Sequence, residues 1–151
     1  LFRWQIPLSF NIGVAVCDAW AARDPRRAAL IHVLADGRSE DVSYGWLREK
    51  SNRLANTLKA NGVSRGDRVA ILLPQSPEVA AIHVAIYKLG AVALPLATLF
   101  GVDALSYRLK DAGAKAAITN AAGLAKLVEL RAEVERIESR RAPQAEPVTV
   151  V

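Results

Sequence analysis

The run Arg68–Leu73 (RVAILL), with Gly66-Asp67 before it and Pro74 after it, constrains this chain more than any other feature. Its apolar residues leave no polar face, the pattern of a strand covered on both sides. Such strands belong to parallel sheets, whose neighbouring strands are joined by helical crossovers. The flanking sequence supplies those helices. Ser43 to Asn61 carries Leu47, Leu54, Ala55 and Leu58 on one face, with Ser43 placed to cap its start and Gly62 to end it. Ser76-Pro77-Glu78 is a second helix start, combining a hydroxyl cap, a proline in the first turn and a carboxylate near the positive dipole end. That helix is expected to run to Leu89, where Gly90 stops it.

The unit then repeats. Ala91–Leu96 reads as a buried strand, Val102–Ala112 as a short helix, Lys115–Thr119 as a strand and Ala121 to about Ile137 as a last helix. The expectation is an α/β fold: a parallel βα-repeat sheet flanked by helices, with right-handed crossovers. A small antiparallel element precedes it, with strands at Ala29–Leu34 and up to Val42 joined through Asp36-Gly37. Upstream, Leu1–Asn11 is an irregular arm bearing Phe2, Trp4, Ile6, Leu8 and Phe10. A helix from Ile12 to Arg23 follows, with Val14, Cys17 and Ala21 on one stripe, and Asp24-Pro25 stops it. The organisation expected is therefore an arm and helix over 1–28, an α/β subdomain over 29–138, and a loose tail over 139–151 with two prolines and no periodicity.

Composition bounds the function. The chain has 151 residues, enough for one domain with a core and too few for a two-domain enzyme of ordinary size. A net charge of +5 is accounted for by Lys and Arg on exposed helix faces, and no basic run is interleaved with aromatics, so no nucleic-acid partner is expected. Cys17 stands alone in an apolar stretch, which reads as a buried thiol in a reducing compartment. One Cys and two separated His residues make no zinc site. Apolar runs are interrupted by His83, Lys88 and Pro95, so no membrane span is expected and a cytoplasmic location is. The chain opens on Leu1 rather than Met, as expected of an excised segment.

Catalytic residues are not evident. A phosphate loop needs clustered glycines whose N–H groups converge on the anion. The nearest approach, Gly62-Val63-Ser64-Arg65-Gly66-Asp67, puts a carboxylate where a phosphate would sit and reads as a helix stop plus turn. There is neither a G-x-G-x-x-G nor a G-x-S-x-G. His32 and His83 read as partly buried or capping side chains, and Asp18, Asp24, Asp67 and Asp111 as cap or turn residues. One loop stands apart. Thr98, Leu99, Phe100 and Gly101 follow the strand Ala91–Leu96, where open parallel sheets bind ligands, or where Phe100 packs against a further part of a larger protein.

The stretch Val42–Leu96 resembles the first conserved block of the acyl-CoA synthetase, adenylation-domain and luciferase superfamily. Asn52-Arg53-Leu54-Ala55-Asn56, Gly62-Val63, Gly66-Asp67-Arg68-Val69, Leu73-Pro74, Pro77-Glu78 and Gly90-Ala91 carry the likeness, and Tyr107–Thr119 continues it. Phe10–Trp20 is similar to the leader of short- and medium-chain acyl-CoA synthetases. The resemblance implies the N-terminal segment of an AMP-forming acid–CoA ligase. Such an enzyme joins a carboxylate to ATP, releases pyrophosphate with the help of magnesium, and passes the acyl group to CoA. The phosphate loop, adenine motifs and catalytic lysine of the family lie beyond this stretch. The chain alone is therefore expected to lack catalytic, metal and nucleotide sites of its own, and its cofactors ATP, magnesium and CoA belong to the parent enzyme. By the same resemblance Thr98, Leu99, Phe100 and Gly101 form a wall of the CoA and acyl channel, with Leu99 where a polar residue can occur. Trp46 replaces the acidic residue of a capping box with Ser43, and after Arg131 the likeness ends. The alternative is a stand-alone module that self-associates or binds a partner through apolar surface left uncovered.

Overall fold

The computed structural model describes residues 3, 7–138 and 149–150. Phe2, Trp4 and Ile6 of the arm lie outside them, and Leu8 and Phe10 are exposed. Regular structure begins with a π-helical turn, Val14–Asp18, that runs into α1 (Ala19–Arg23). The wide turn corrects the expected stripe. Its buried face is Gly13, Cys17 and Ala21, a strict four-residue spacing, whereas Val14 is 45% exposed. A π turn takes more residues per revolution than an α turn, so the three-residue step from Val14 to Cys17 no longer shares a face.

β1 (Ala28–Val33) and β2 (Ser39–Ser43) form a two-stranded antiparallel sheet. α2 (Tyr44–Ala60) follows directly, and Ser43 Oγ accepts from the Trp46 amide at 3.2 Å, as its position before the helix demanded. β3 (Arg68–Leu72), α3 (Pro77–Lys88), β4 (Val92–Pro95), α4 (Val102–Ala112), β5 (Ala114–Thr119) and α5 (Ala121–Glu138) then alternate. All sheet partners of β3 and β5 are parallel, in the order β4-β3-β5-β6, where β6 is Thr149–Val150. The expected tail thus includes a two-residue strand beside β5, while 139–148 lies outside the described residues.

β3 is the centre of the sheet, and its alternation builds two cores. Val69 and Ile71 face Leu58, Val79, Ile82 and Ile86 of α2 and α3. Ala70 and Leu72 face Leu105, Leu109 and Leu127 of α4 and α5. That is why the sequence run is apolar throughout. β4 departs from the expectation of a buried strand. Only its flanking Ala91 and Leu96 are buried, and Val92 is half exposed. β4 is an edge strand here, which also explains how Pro95, lacking an N–H, is tolerated. Ser76 likewise differs: its side chain caps no backbone amide of α3, and its hydroxyl instead bonds the Glu78 carboxylate and holds that group below the usual carboxylate range.

A third cluster, Cys17, Leu47, Ala81 and Val84, seats the N-terminal helix on α2 and α3. Gly13 is required there, since a Cβ would lie 2.8 Å from the Lys88 backbone nitrogen. The same contact carries a buried polar hub. Lys88, its side chain 9% exposed, donates through Nζ to Asp18 Oδ1 at 2.6 Å, Asn52 Oδ1 at 2.6 Å and Ser51 Oγ at 2.9 Å. Asp18 therefore serves an ion pair rather than the capping role its position suggested. Asn11 Nδ2 closes the assembly by donating to the Lys88 carbonyl at 2.9 Å. Burial pushes the Cys17 thiol up, against the opposing pull of Lys88. Among the described residues, no helix is long and apolar enough to cross a membrane.

Candidate functional site

A parallel sheet brings the carboxyl ends of β3, β4 and β5 to one edge, where loops, not strands, present side chains. The edge is closed by short polar bonds. Thr119 Oγ1 donates to the Leu72 carbonyl at 2.8 Å, tying the end of β5 to the end of β3. Asn120 Oδ1 accepts from the Gly123 amide at 3.0 Å and so caps α5. Gly123 has no freedom to carry a side chain, because a Cβ there would run into Thr119 Oγ1 and crowd Leu72.

The loop Thr98–Gly101 sits on this edge between β4 and α4. Lys126 Nζ, one turn into α5, donates to the Thr98 carbonyl at 2.7 Å and the Phe100 carbonyl at 3.0 Å. The Phe100 ring packs on the α4–α5 core, with the Arg108 guanidinium 4.0 Å from its centroid. Leu99 points away and is 94% exposed. Gly101 opens α4 in extended backbone. A cavity of about 180 Å³ lies between the loop and α5, lined by Leu72, Pro74, Thr98, Asn120, Gly123 and Lys126. That volume is below the ~300–1,000 Å³ of ordinary small-molecule sites, so this edge can form one wall of a site and not the whole of it. Its cation and amide suit a polar or anionic group. The structure brings Thr98 and Phe100 together with Lys126 and leaves Leu99 apart from them. Lys126 and Asn120 were missed in the sequence. Asn120 was readable as a cap between strand and helix, whereas nothing in its spacing marked Lys126 as reaching another loop.

The Gly62–Asp67 loop holds its own anion. Asp67 Oδ2 accepts from the Ser64 amide at 2.7 Å and the Ser64 hydroxyl at 2.8 Å, and pairs with Lys115 at 3.0 Å. These bonds lower its pKa to about 2. The donors a phosphate would need are already used. His83 Nδ1 lies 3.1 Å from the Tyr87 hydroxyl, and burial lowers its pKa. Among the described residues no three His, Cys, Asp or Glu side chains gather to hold a metal ion.

The sequence model of the family described as AMP-binding enzyme matches residues 17–150, so the likeness does not end at Arg131 as the sequence suggested. The chain belongs to that family. It is similar to the human acetyl-coenzyme A synthetase 2-like, mitochondrial protein, 37% identical over 135 residues, which cover 87% of this chain and 20% of that one. A Mycobacterium tuberculosis long-chain-fatty-acid–CoA ligase is 34% identical over 115 residues, 76% of this chain and 22% of the ligase. Among solved structures, the Brucella canis acyl-CoA synthetase superposes with a TM-score of 0.74 at 36% identity, over 80% of this chain and 22% of that one. The chain thus spans about a fifth of the length of these AMP-binding relatives.

Proposed function

We propose that this chain is the N-terminal frame of an AMP-forming acid–CoA ligase, which converts a carboxylate, ATP and CoA to acyl-CoA, AMP and pyrophosphate. The family match over 17–150 carries the reading. Within the frame, residues 29–138 are the α/β subdomain and 1–28 the arm and helix, with Cys17 of the helix packed on α2 and α3. We assign ATP and magnesium no site within the chain itself. Its glycine-flanked loop Gly62–Asp67 is filled by the Asp67 carboxylate, and among the described residues no three His, Cys, Asp or Glu side chains gather to hold a cation. Adenylation is therefore assigned to the part of the enzyme that this chain does not span.

What the chain contributes is a wall. Thr98, Leu99, Phe100 and Gly101 line the path of CoA and the acyl group, with Lys126 fixing the loop's two carbonyls so that its backbone keeps one shape. Leu99 offers that path an exposed apolar side chain. The test is pyrophosphate release by the isolated chain with ATP, magnesium and carboxylates from acetate to octanoate. No turnover is expected, and an ordinary rate would overturn the assignment. In the longer enzyme, Lys126→Ala should raise the KM for CoA by about tenfold, a loss of ~1.4 kcal/mol, while pyrophosphate release from ATP changes little.

A further inference from the structure

The segment between β4 and α4 is a tight turn that holds itself together weakly. The Phe100 amide donates to the Ala97 carbonyl at 3.1 Å, which makes Ala97–Phe100 a β-turn with Thr98 and Leu99 at its corners. Ala97, Thr98 and Leu99 are exposed, and Gly101 opens α4 without a side chain to cap it. One internal bond fixes the shape of such a turn but not its orientation on the sheet. Groups outside the turn supply that orientation. Lys126 takes the carbonyls of Thr98 and Phe100, and Arg108 takes the Phe100 side chain.

Arg108 lies in the second turn of α4, and its side chain reaches back toward the helix start, the direction helical side chains favour. Its Nη1 donates to the Ala104 carbonyl at 3.0 Å, which sets the guanidinium, and Cζ lies 4.0 Å from the centroid of the Phe100 ring. That is well inside the ~6 Å at which a cation still feels an aromatic face. Among the described residues no carboxylate pairs with Arg108, so its contacts are the Ala104 carbonyl and the ring. The same ring packs on the cluster that holds Leu105 and Leu109. With Phe100 anchored at the last position of the turn, Leu99 is left at the corner, 94% exposed.

We infer that Arg108 is a positioning residue for acyl transfer to CoA: through the Phe100 ring it fixes the turn Ala97–Phe100 so that Leu99 stands in the path of CoA. The inference rests on the ligase reading above and adds to it a side chain outside the loop. A guanidinium suits the task better than an ammonium, because its plane can lie on the ring while its N–H groups still bond the helix carbonyl.

The test combines steady-state kinetics with hydrogen exchange in the full-length enzyme. Arg108→Met keeps the apolar stem and removes the charge. It should raise the KM for CoA about fivefold, leave the KM for ATP unchanged, and speed exchange of peptides over 96–101 but not over β3. Phe100→Leu should do the same, and Arg108→Met should add nothing further in that background. Additive effects would overturn the inference, since Arg108 would then meet CoA directly, as would a KM for CoA indifferent to Arg108→Met. Lys110→Met removes an exposed charge from the same helix and should change none of these quantities. An equal rise in KM from that variant would reduce the effect to net charge and overturn the inference too. If Arg108→Met also releases β3, the fold has been lost and Arg108→Lys decides. A rise of about twofold confined to CoA is then expected, and no rise overturns the inference. Failure of the ligase reading looks different. A protein that forms no acyl-CoA, yet whose turn loosens in Arg108→Met and no further in the double variant, sinks that reading alone. An active ligase indifferent to Arg108→Met sinks this one alone.

Discussion

β3 and β1 are written in nearly the same residues and end in opposite surroundings. In β3 Val69, Ala70, Ile71 and Leu72 are all buried, because α2 and α3 cover one face and α4 and α5 the other. In β1 Leu30 is half-buried while Ile31 and Val33 stand in solvent. Burial follows a strand's place in its sheet, not its composition. A central parallel strand acquires two helical layers from its own crossovers, whereas a hairpin brings only its partner strand.

The contrast can be broken at its strong side first. Ile86→Ala removes a fully buried side chain beneath β3 and should cost about 3–4 kcal/mol in urea unfolding. A loss below about 1 kcal/mol would mean the α3 face is not tightly packed. Asp18→Ala leaves Lys88 buried with only the Ser51 and Asn52 oxygens, and should cost about 2 kcal/mol. Restoring neutrality with Asp18→Ala/Lys88→Met should recover part of that loss, which a purely steric role for Asp18 would not allow. Ser43→Ala, which removes the cap at the junction of hairpin and α2, should cost about 1 kcal/mol by the same measurement.

Acid titration probes the loop between α2 and β3. Asp67 has its pKa lowered from 3.8 to about 2 in the folded chain. A group more acidic when folded stabilises the fold above its unfolded pKa and loses that contribution as pH falls toward the folded value. Stability should therefore decline between about pH 4 and pH 2, and Asp67→Asn should flatten that part of the unfolding curve. An unchanged acid limb would show that the bonds from Ser64 and Lys115 do not persist in solution. The smallest effect belongs to the hairpin. Ile31→Ala in the isolated chain should stay within about 0.5 kcal/mol, since the side chain is already in water. A larger loss would mean that Ile31 is covered in solution.

Much of the fold was legible because it follows from local pattern. The double-sided apolar run located β3, Ser43 and Gly62 bracketed α2, and the turn at Asp36-Gly37 joined β1 to β2. Periodicity and caps act over a few residues, so one sequence suffices to read them. The loop Thr98–Gly101 was placed at the carboxyl edge of the sheet for the same reason, since a strand's carboxyl end is known once its direction is.

What tertiary structure decided were relations between residues far apart in the chain. Sheet order made β4 an edge strand, although Ala91–Leu96 reads as buried. Lys88 meets Asp18 across seventy positions, and Lys126 reaches back to the carbonyls of Thr98 and Phe100. The π turn moved the buried stripe from Val14 to Gly13 because the helix had to fit against Lys88 and Val84. Local sequence determines which elements form, through the alternation of their side chains and the hydrogen bonds of their ends. Which faces are covered depends on where the chain returns, and that is settled only by packing all the elements at once.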